Sequence, residues 1–163
     1  MLNLEFIPEN KEFAEATNEY LYIWENFGEK IVDSIELTAQ LKFKDSIIKV
    51  TVYEGISQSH PFKLRASYDL ETKAATLVHE LLHRLSADYL LSIPEPEDEI
   101  SLGLHKQIYL ILYDLWVDLF GKEVADRQVK IESSRIPLYK DAWEWALSLN
   151  KEERRKEFAK LRI

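Results

Sequence analysis

His79-Glu80-Leu81-Leu82-His83 puts two imidazoles and a carboxylate within five consecutive residues. Four positions apart, the histidines share one helical face a turn apart and can converge on a single metal ion. Glu80 lies about 100° round the helix from His79, so it can reach a water at the ion's open position without ligating the ion. Two neutral imidazoles, an open position and a carboxylate beside the water make a hydrolytic zinc site. Five such residues arise by chance in on the order of one chain in 200 of this length. The alternative is a solvated helix face that happens to carry two histidines. Leu77, Val78, Leu81, Leu82 and Leu85 argue against it, because apolar flanks of this density bury the segment.

The chemistry needs a helix, and residues 69–91 supply one. Asp69 is a good N-cap, Glu71 puts negative charge in the first turn, and no Gly or Pro interrupts the run. Before it, 2–7 is a short strand or an ordered tail. Asn10 caps a helix from 11 to about 30, with Phe13, Tyr20, Trp24, Phe27 and Ile31 as a core-packing stripe. From Ile35 the period changes to two, so 35–43 and 47–54 predict an antiparallel hairpin, and 63–68 a third strand. The loop 55–62 holds His60, which fits a surface position better than a site near the metal. Downstream, 92–99 is an acidic loop with two prolines, followed by a strongly apolar helix over 100–120 closed by Gly121. A short helix and loop are expected over 124–135, and a helix over 137–149. Asn150 and Glu153 form a capping box for a last helix over 151–162. The expected fold is therefore one α+β domain over 1–163. It comprises an N-terminal helix, a small, mainly antiparallel three-stranded sheet, the metal helix and a helical C-terminal half.

In its five-residue motif and the helix around it, the chain resembles the zincin metallopeptidases. That resemblance implies an antiparallel edge strand beside the active-site helix, which binds an extended peptide through backbone hydrogen bonds. It also implies Zn²⁺ as cofactor and Glu80 as the catalytic base. Catalytic zinc takes three protein ligands plus water, so a third ligand is needed beyond His79 and His83. The metzincin pattern fails, since Ser86 stands where its Gly should be and Tyr89 where its third His should be. Peptide deformylases use a Cys, and this chain has none.

Two candidates are left. His105 opens the next helix with Tyr109 four positions on, which is similar to small SprT-like and YgjP-like metalloproteins. Lys106 replaces the small residue usual after that His. Asp114, with Asp118 one turn later, is a shortened form of the gluzincin pattern. Embedded in an apolar run, Asp114 needs a metal, a ligand imidazole to orient, or a Tyr or Arg partner in the core. Nine residues separate the two candidates, about 180° round a helix, so both do not serve one ion. His105 is favoured, being the only downstream histidine of four.

Composition sets the class. With 163 residues, 46% hydrophobic and 31% charged, the chain has the make-up of an ordinary globular protein. Its net charge of −8 and lack of a basic stripe argue against nucleic acid and anionic membranes as partners. Without Cys there is neither a disulfide framework nor a thiolate ligand. The N-terminal residues lack a secretory pattern, so the expected compartment is the cytoplasm. The expected activity is that of a small zinc metallopeptidase acting on peptide or protein. The rival is a zinc-binding regulatory or adaptor module without proteolysis. Glu80 tips the balance, because a structural site needs no carboxylate beside its first His.

Overall fold

Strand β1 (Asn3–Pro8) leads through a single 3-10 turn at Lys11–Phe13 into the long helix α1 (Ala14–Ala39). Strands β2 (Ile47–Tyr53), β3 (Gln58–Ser59) and β4 (Phe62–Arg65) precede helix α2 (Leu70–Asp88). Then follow α3 (Ile100–Phe120), α4 (Lys122–Arg135), α5 (Pro137–Ser148) and α6 (Lys151–Lys160). The computed structural model describes residues 2–94 and 99–162. The fold is α+β and dominated by helix. It divides into two compact units, Met1–Asp88 and Tyr89–Ile163.

In the first unit the sheet has four strands in the order β1-β2-β4-β3. β1 pairs parallel to β2, β2 parallel to β4, and only the short β3 is antiparallel to its neighbour. The sheet is thus mixed and mostly parallel, unlike the antiparallel hairpin expected from the alternation at 35–43. That stretch is helical to Ala39, where Gln40 in the left-handed conformation (φ 53°) ends α1. The reason lies in which residues are buried. Ile31, Val32, Ile35 and Ala39 are buried at helical spacing, whereas Leu37, two residues from Ile35, is 81% exposed. A strand would have buried Ile35 and Leu37 on the same face.

Helix α2 starts where its sequence predicts, with the Thr72 backbone N–H donating to Asp69 Oδ1 at 2.7 Å. Every residue from Ala75 to Leu82 is buried. Polar contacts tie it to the rest of its unit. Buried Lys73 pairs with Glu19 of α1. Arg84 pairs with Asp45 at 2.8 Å, fixing the turn before β2. Tyr20 of α1 donates to the Arg65 carbonyl at 2.8 Å, holding the end of β4.

The second unit is helical as expected. α3 ends at Gly121, whose φ of 92° needs a glycine. The Asn150–Glu153 capping box opens α6. α3 packs against α4, α5 and α6, around buried Trp116 and Trp143. The central four residues of the expected acidic loop, 95–98, lie outside the described residues.

Candidate metal centre

His79 and Glu80 stand at the middle of α2, with His83 one turn further on. The two imidazole centroids are 5.0 Å apart and tilted by 54°, as one-turn spacing requires. His79 and Glu80 are buried and His83 is half-buried. Glu80 acts electrostatically on Tyr53 at the end of β2. The Tyr53 hydroxyl ionises above its usual value, through burial first and then the negative charges of Glu9 and Glu80. That hydroxyl donates to the Ile56 carbonyl at 2.5 Å.

His105 lies in the second turn of α3 and is buried. Its Nδ1 is 2.7 Å from the Ser101 carbonyl one turn earlier. A carbonyl only accepts, so Nδ1 carries the proton and Nε2 presents its lone pair for a metal. Tyr109 meets the ring edge-on at 5.6 Å, and Tyr139 of α5 lies 4.5 Å away.

Of the three expected ligands, His79 and His83 stand on α2 in the first unit and His105 on α3 in the second. Three imidazoles suit Zn²⁺ in donor type and number.

Asp114 has its partner within the second unit. It is buried, and its Oδ1 accepts from Arg154 Nη2 of α6 at 2.8 Å. His60 is exposed in the β3–β4 turn, its Nδ1 3.0 Å from the Ser59 hydroxyl. Sequence reasoning missed buried Glu132, to which Tyr109 and Trp143 both donate. It lies in a segment whose helical pattern gives no sign that this carboxylate faces inward. Comparison with protein-family models, curated proteins and solved structures finds no match.

Proposed function

We propose that the protein is a zincin-like, zinc-dependent hydrolase, most plainly a small peptidase. The observation that carries this reading is the pair His79 and His83 one turn apart on α2, ring centroids 5.0 Å apart, with Glu80 next in sequence to the first. His79, His83 and His105 would hold Zn²⁺, which would serve as a Lewis acid, lowering the pKa of a water to about 7 and polarising a substrate carbonyl. Glu80 accepts a proton from the water as it attacks the carbonyl carbon, then returns that proton to the leaving amine. The Ser101 carbonyl holds His105 in the tautomer that can ligate. An extended peptide is accepted alongside β3, the antiparallel strand at one end of the sheet order, by backbone pairing.

One observation favours the second reading, a zinc-binding module without turnover. His79, Glu80 and His105 are each at most 9% exposed, which leaves little room for a substrate beside them. Glu80→Gln separates the two. It preserves shape and zinc stoichiometry in either case. In an enzyme it lowers hydrolysis of an unstructured protein substrate by about 10²–10⁴-fold, the usual contribution of a general base. Hydrolysis that survives complete removal of metal by a chelator rejects the peptidase scheme. Zinc bound one per chain, with no hydrolysis in the wild type, supports the module.

A further inference from the structure

We propose that Glu132 is a positioning residue for His105, acting through Tyr109; the inference rests on His105 being the third ligand. Glu132 lies on α4 and is 2% exposed. Its Oε2 accepts from the Tyr109 hydroxyl at 2.8 Å and from Trp143 Nε1 at 3.0 Å, while Arg135 Nη1 is 4.0 Å from Oε1. The Tyr109 ring also stacks on Trp143, with centroids 3.7 Å apart and planes 11° apart. Ring plane and hydroxyl of Tyr109 are therefore both fixed. Tyr109 stands one turn beyond His105 on α3 and presents its ring at 68° to the imidazole.

The imidazole is thereby confined on three sides, by the Ser101 carbonyl at Nδ1, by Tyr109 and by Tyr139. What is left to it is an Nε2 aimed in one direction before any metal arrives. A ligand held ready in this way loses less freedom on binding. Stability alone does not call for the carboxylate, because apolar residues of similar volume pack as well without the penalty of burying a charge. Its effect is to orient. Without the Tyr109–Glu132 bond, the Tyr109 ring is held by its stacking on Trp143 alone, and the wall beside the imidazole loses its anchor.

The test compares wild type with Glu132→Gln, Tyr109→Phe and, as a fold control in the same unit, Phe158→Leu on α6. Side-chain NMR of the zinc-free protein at pH 8 reads the order and tautomer of the His105 ring. Zinc affinity is measured by competition with a chelator. The wild type and Phe158→Leu should show a rigid ring protonated at Nδ1. Glu132→Gln and Tyr109→Phe should show a mobile ring and about tenfold weaker zinc binding, as for loss of a group that supports a ligand. Should Glu132→Gln fail to fold, Tyr109→Phe carries the comparison, since it keeps the carboxylate and its Trp143 bond. A ring as rigid in the folded variants as in wild type overturns the proposal. So does unchanged zinc affinity in both variants. A wild type that binds no zinc rejects the hydrolase reading instead, and the ring measurement then decides the role of Glu132 by itself.

Discussion

Asp114 is a charged side chain in an apolar helix, and its partner is Arg154, forty residues further along the chain. Both are buried, with about 6% and 7% of their side-chain surface exposed. Removing one member of a buried ion pair strands the other and costs about 3–5 kcal/mol. We therefore expect Asp114→Asn to melt at lower temperature yet bind zinc with near wild-type affinity. His105→Ala should fold but lose tight zinc binding, because two imidazoles do not make a catalytic or structural zinc site. Chelator competition and thermal unfolding on both variants check this. Metal-free Asp114→Asn beside a zinc-loaded His105→Ala would reverse the assignment. From chemistry alone the two residues are rivals, since an apolar setting tells that a carboxylate needs a partner but not which one. Arg154 lies too far along the chain for any local pattern to announce the pair.

At the scale of elements, caps and helical periodicity make α2, α3, α5 and α6 readable from sequence, whereas α4, expected as a short helix and loop, is helical throughout Lys122–Arg135. Asp69, Gly121 and Asn150 each mark the helix end where it falls. The sheet is another matter. Parallel pairing of β1 with β2 joins segments separated by all of α1, and alternation carries no information on partner or direction. The alternation at 35–43 misleads because β-branched and polar residues interleave on the last turns of a helix, where Ile35 and Ala39 face inward one turn apart. A direct check follows. Ile35 is fully buried, so Ile35→Ala should cost about 2–5 kcal/mol in urea unfolding. Leu37 is exposed, and Leu37→Ala should change stability by no more than about 0.5 kcal/mol. Equal losses at both positions would restore the strand.

For the molecule as a whole, sequence delivers the α+β class and the two-histidine half of the site, because both are local. The mostly parallel sheet and the buried Glu132 network depend on contacts between distant segments, and neither is legible beforehand. No helix among the described residues is long and apolar enough to cross a membrane. The proposed function requires His79, His83 and His105 to hold one Zn²⁺. X-ray absorption at the zinc edge of the zinc-loaded protein measures that coordination sphere directly. Three imidazole nitrogens and one oxygen at about 2.0–2.1 Å are expected. Two imidazoles with a carboxylate, or a sphere of water oxygens alone, would contradict the proposal.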